Sequence, residues 1–123
     1  MRDQRSETVY YSTPATDGQR ITLSWIHSIE LTPWTETYEV RDGELVLREI
    51  TLESYGAGTP SNEGVTRIED GVIHVTELDR AVGAIRWVHS HDVDYEIEVD
   101  GEVVVETQMI PHRSYAEIVI ENN

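Results

Sequence analysis

The chain has 123 residues, enough for one domain whose core needs no covalent staples. It has no cysteine, which excludes disulfides, thiolate nucleophiles and cysteine-ligated zinc. Twenty-four acids stand against nine basic residues, all arginine, and the net charge of -15 opposes binding to nucleic acid or anionic lipid. The acids are spread along the whole chain and lysine is absent, a pattern suited to high salt. There, hydrated carboxylates keep a protein soluble while their mutual repulsion is screened. An acidic patch built for cations or a basic partner is the alternative. No apolar run is long enough to cross a bilayer, and the opening "MRDQRSETVYYS" lacks a secretory apolar core. The expectation is a soluble chain, with the removal of an upstream leader or anchor left open.

In chain order, "RITLSWIHSIEL" alternates with Ile21, Leu23, Trp25, His27 and Ile29 on one face, which predicts a strand. Pro33 and Trp34 fall outside that alternation and read as a corner. "TYEV" leads through Asp42-Gly43 into "ELVLREITLES", a strong hairpin signal. The stretch "SYGAGTPSNEG", residues 54 to 64, reads as a loop from its glycines, proline, serines and asparagine. Glu69-Asp70-Gly71-Val72 offers a turn before the short strand "VIHVTEL", with His74 on its polar face. "AVGAIRWVHS" reads as one strand. "YEIEV", Asp100-Gly101 and "EVVVETQMI" repeat the hairpin signal; "IPHRSY" reads as a loop holding His112, and "SYAEIVIEN" closes the chain. No segment carries a helical period. The expected architecture is all-β: one antiparallel β-sandwich or partly open barrel over residues 1–123, with about eight or nine strands. "WIHS" at 25–28 recurs as "WVHS" at 87–90, each followed by a Gly-turn hairpin, so His27 and His89 would be equivalent if the echo were a duplication.

The chemistry-bearing residues cluster in "HSIELTPWTETY", residues 27 to 38. His27 should point inward, as a buried neutral imidazole or as an acid/base group or ligand with Glu30 or Glu36. Those two acids flank Pro33-Trp34 and could hold a hard cation, but the spacing matches no established metal motif, and two solvent-exposed acids are the simpler account. Trp34 either seals the sandwich end or stands exposed as a binding anchor. His89 and His91, two apart with Asp92 and Asp94 alongside, read as one face of a strand able to chelate a transition metal if a third ligand joins. Ser28 and Ser90 adjoin histidines, but strand neighbours point to opposite faces, so neither pair forms a dyad. There is no nucleophile elbow, phosphate loop or dinucleotide fingerprint, so no enzyme and no cofactor are expected.

"HSIELTPWTETYEV" followed by "SYGAGTP" resembles the bacterial and archaeal domain of unknown function numbered 1850. That family's pattern is His-Ser-Val-Glu, then Pro-Trp and Glu, a strand pair and a glycine-alanine-glycine-proline loop. It maps onto His27, Ser28, Ile29 (in place of the usual valine), Glu30, Pro33, Trp34 and Glu36, then Tyr55, Gly56, Gly58 and Pro60. The match is specific over 21–60; from 71 onward it is a generic strand pattern. The resemblance implies a domain encoded beside, or fused to, TAXI-type tripartite ATP-independent periplasmic (TRAP) transporters. It also implies an extracytoplasmic location, with a membrane segment or signal often preceding the domain. The expected partner is the transporter's solute-binding or membrane subunit, met by His27, Ser28, Glu30, Pro33, Trp34, Glu36 and the loop from Tyr55 through Gly56 and Gly58 to Pro60. The competing expectation is a small-ligand or cation module using His27, Glu30 and Glu36.

Overall fold

Alternating side chains and tight Asp-Gly turns leave the chain little choice but to pair neighbouring strands, and a computed structural model shows how they pair. It describes residues 1–6, 8–26, 33–53, 65–69 and 72–121. Eleven strands occur among them: β1 (Arg2–Asp3), β2 (Arg20–Ile26), β3 (Pro33–Arg41), β4 (Glu44–Glu53), β5 (Val65–Glu69), β6 (Val72–Thr76), β7 (Arg80–Val82), β8 (Ile85–Val88), β9 (Glu96–Val99), β10 (Glu102–Val105) and β11 (Tyr115–Ile118). They form two antiparallel sheets. The larger runs β10-β9-β2-β3-β4-β6-β5, with β7 also paired to β4; the smaller runs β1-β11-β8. The only helical pieces among the described residues are 3-10 turns at His91–Val93 and Thr107–Met109. The fold is a sandwich with open edges and no closed barrel.

Both Asp-Gly hairpins form as expected. Arg41 faces Glu44 and Val99 faces Glu102, so each loop has two residues. Asp42 and Gly43 have φ of 52° and 76°, Asp100 and Gly101 of 51° and 85°. Two successive positive φ values match the right-handed twist of the flanking strands, and Asp and Gly are the residues that tolerate them. Glu69 faces Val72, as the third turn signal requires, although residues 70 and 71 lie outside the described set.

Two sequence expectations need correction. "AVGAIRWVHS" is two strands: β7 joins β4 in the large sheet, then Gly83 and Ala84 carry the chain to β8, which pairs with β11 in the small one. In "RITLSWIHSIEL", residues 20–26 form β2 as expected, and 27–31 lie outside the described residues. Ile26 pairs with Pro33, which opens β3, the position in a strand where a missing N–H costs least. Trp34 is therefore inside a strand and not at a corner. The WIHS/WVHS echo has no topological counterpart, since β2 forms a hairpin with β3 while β8 pairs with β11 and ends in a 3-10 turn.

The core lies between the sheets. Ile21, Leu23, Val40, Leu45, Leu47, Ile50, Leu52, Val75 and Ile97 come from the large sheet, Ile85, Trp87, Ala116 and Ile118 from the small one. In β4 the inward residues shift phase, from Leu45 and Leu47 to Ile50 and Leu52. A register break opposite Thr37 and Tyr38, with Glu49 and Leu47 as their partners, inserts the extra residue Arg48. That bulge keeps apolar side chains inward over ten residues of a twisting strand. Truncating a side chain as enclosed as Leu23, Leu52 or Ile97 to alanine costs about 2–5 kcal/mol.

Candidate functional site

Strand β3 places Trp34, Glu36, Tyr38 and Val40 on one face. Tyr38 and Val40 are buried, and Glu36 sits opposite Leu23 of β2, itself buried. Glu36 is thus a carboxylate in a row of core residues, half-buried, and the expectation of an exposed acid fails. Its two oxygens accept from side chains of its own strand: Oε1 from the Tyr38 hydroxyl at 3.0 Å, Oε2 from the Trp34 indole Nε1 at 3.4 Å. Burial, and then the Glu36 charge, push the Tyr38 phenol far above its usual range, with Arg80 opposing, so Tyr38 remains a donor. Burial followed by the same carboxylate also raises Tyr95.

Around Glu36 the sheets bring together aromatic rings far apart in sequence. Trp34 stacks on Trp25, with centroids 5.9 Å apart and planes at 24°. Trp25 lies 5.4 Å from Tyr95, and Tyr95 lies 6.1 Å from Trp87. Pairing of Ser24 with Glu96 sets Tyr95 beside Trp25. The turn at His91–Val93, capped by Ser90 Oγ accepting from Asp92 N at 3.1 Å, swings the chain from β8 across to β9. Asp94, at φ 53°, completes that change of direction. Beside these rings is an open cavity of about 560 Å³, lined by Trp25, Glu36, Tyr38, Trp87 and Tyr95, with Arg86 and Val88 from the edge strand β8. That volume suits a small molecule. Sequence reasoning missed Tyr95 and Trp87 here. The period-2 rows gave their faces, but nothing local said that β8 and β9 lie in opposite sheets.

The histidine corner is built differently. His89 is 1% exposed. The Trp87 indole Nε1 donates to its Nδ1 at 3.1 Å, and its Nε2 donates to the Thr107 carbonyl at 2.7 Å. A Trp N–H can only donate and a carbonyl can only accept, so this is the neutral Nε2–H tautomer. Burial is the main force lowering its pKa from the usual 6.5. His91 Nε2 donates to the Ile110 carbonyl at 2.8 Å, and His112 Nδ1 accepts from the His91 backbone N at 3.0 Å. His112 thus supplies the third imidazole of the cluster, its ring centroid 5.2 Å from that of His91. Even so, His89 has no nitrogen left for a metal. Among the described residues no group of three or more His, Cys, Asp or Glu side chains could hold one.

Of the residues expected to form the site, Pro33, Trp34 and Glu36 are described. Pro33 is exposed; Trp34 is half-buried against Trp25 and does not stand free as an anchor; Glu36 faces the cavity. His27, Ser28, Glu30, Tyr55, Gly56, Gly58 and Pro60 lie outside the described residues. Ile26 faces Pro33 and Trp34 faces Leu52, so the last residues of β2 and β4 and the first of β3 lie at the same end of the large sheet. Among the described residues no helix is long and apolar enough to cross a membrane.

No match was found among curated proteins or among solved structures. The family model "Domain of unknown function (DUF1850)" matches residues 21–105, from β2 through β10. The family pattern thus runs beyond residue 60 and takes in the second tryptophan strand and Tyr95. The match covers more than half of the sequence, and the chain belongs to the DUF1850 family.

Proposed function

We propose that this chain is a non-enzymatic, salt-adapted extracytoplasmic accessory domain of a TAXI-type TRAP transporter, docking on its solute-binding or membrane subunit. Family membership across residues 21–105 carries the reading, through the transporter neighbourhood that the family resemblance implies. Three features support it. Pro33 is exposed at the end of the large sheet where β2 and β4 finish and β3 begins. A glycine-rich segment lets a partner's backbone approach closely. The net charge of -15 keeps such a domain soluble in concentrated salt.

The test is capture of detergent-solubilised transporter subunits, encoded beside the gene, on the immobilised chain at high salt. Retention of one subunit by the wild type, with loss in a Pro33→Ala/Trp34→Ala double variant that still folds, supports the reading. Failure to retain either subunit, with the domain folded and the subunits intact, overturns it. A second reading, a small-ligand module, is favoured by one observation: Glu36 lies on the core side of its strand and opens onto a cavity.

A further inference from the structure

Three imidazoles meet at one end of the sandwich, and each uses its nitrogens differently. In His89 both are bonded inside the core. His91 Nε2 faces the Ile110 carbonyl, which can only accept, so Nε2 carries a proton and keeps its bond even when Nδ1 takes a second one. His112 is the reverse case. Its Nδ1 faces the His91 backbone N–H at 3.0 Å, and a backbone N–H can only donate, so the contact requires a bare Nδ1. A proton added there sets two donors against each other, and the bond is lost.

That bond joins two exposed segments. The turn His91–Val93 leads from β8 to β9 and to Tyr95 at the cavity wall; residues 110–114 lead from the second 3-10 turn into β11. Asp94 and Arg113 hold φ of 53° and 66°, left-handed conformations that persist in residues with side chains only where the surroundings hold them. His112 is itself exposed, so solvent protons reach it. Among the neighbouring charged groups, Asp92 and Asp94 draw a proton toward the ring. Arg113 opposes it, as does His91, 5.2 Å away between centroids, once charged; His89 lies behind His91 at 5.5 Å. Loss of the bond leaves the sheets joined, because Ile110 is fully buried and His89 keeps its backbone bonds to Arg113 and Ser114.

We infer that His112 is the proton acceptor of a clasp between the turn His91–Val93 and residues 111–114, and that acid releases it. Imidazole is the side chain whose charge changes between about pH 5 and 8, so the clasp is closed at the upper end of that range and open at the lower. Release frees the turn that leads to Tyr95. It needs no partner and is independent of the transporter reading.

The test is an NMR titration of the isotope-labelled chain from about pH 8 to about pH 5 at constant high ionic strength. In wild type at the upper pH, the ring nitrogens of His112 should report the Nε2–H tautomer; an Nδ1–H tautomer overturns the inference and requires no variant to fold. The amide is then followed in His91→Gln, because the wild-type ring would move its own amide, and glutamine keeps an N–H for the Ile110 carbonyl. The residue 91 amide signal should move with the midpoint of the His112 ring, and its protection from exchange should fall about fivefold. Adding His112→Asn, which puts a non-titrating oxygen in place of Nδ1, should abolish that movement. An amide that ignores the His112 ring, or a movement that survives His112→Asn, overturns the inference. So does a Trp87 indole signal sharing the midpoint, which would assign the response to His89.

Discussion

Glu36 and His89 are both ionisable groups beside tryptophans in the space between the sheets, yet they are finished differently. His89 is sealed, and each ring nitrogen has a protein partner of the correct polarity. Glu36 is half-buried and opens onto a cavity, and it accepts from the neutral donors Tyr38 and Trp34. A buried polar group whose bonds are complete stabilises one packing arrangement. One left partly solvated beside an open volume keeps capacity for a ligand.

The comparison predicts a large difference in stability. His89→Ala removes a core side chain and strands both the Trp87 N–H and the Thr107 carbonyl, and should cost about 2–4 kcal/mol in denaturant titrations. A cost under about 1 kcal/mol would mean that the corner relaxes around the loss.

Acid should test the sealed histidine next. The folded state lowers the pKa of His89, so below its unfolded value of 6.5 the unfolded chain binds the proton more readily. Its stabilising contribution is complete above 6.5 and is lost as the pH falls from there toward the folded value. The limiting slope is about 1.4 kcal/mol per pH unit. Glu117, lowered chiefly by the Arg2 hydrogen bond, adds a later loss that begins below 4.5. Melting temperatures across this range should show the first loss in wild type and not in a folded His89→Gln variant.

Tyr38→Phe removes the hydroxyl that fixes Glu36 and should cost about 0.5–1.5 kcal/mol. Glu36→Gln keeps an acceptor for Tyr38 and should change stability by less than about 1 kcal/mol, the smallest effect in the series. A Glu36→Gln variant as damaged as His89→Ala would erase the distinction between a site and a seal.

Much of the fold was legible locally. The Asp42-Gly43 and Asp100-Gly101 turns follow from backbone sterics at two residues, and period-2 alternation placed Ile21, Leu23 and Trp25 on one face. The site was legible only in part. Trp34 and Glu36 stand out in the sequence as site candidates, but the charge of Glu36 masks its place in the alternating row Trp34, Glu36, Tyr38, Val40. The β4 bulge also left a trace, in the three-residue step from Leu47 to Ile50.

The sequence alone therefore determined an all-β chain, its tight turns and most inward faces, because these depend on interactions a few residues long. Tertiary structure decided that the chain changes sheets between Val82 and Ile85, that β8 pairs with β11, and that Trp25, Tyr95 and Trp87 converge on Glu36. Many strand pairings satisfy the same alternation. The choice among them rests on which pairing encloses the most apolar surface while leaving buried polar groups bonded, a property of the whole chain and of no single segment.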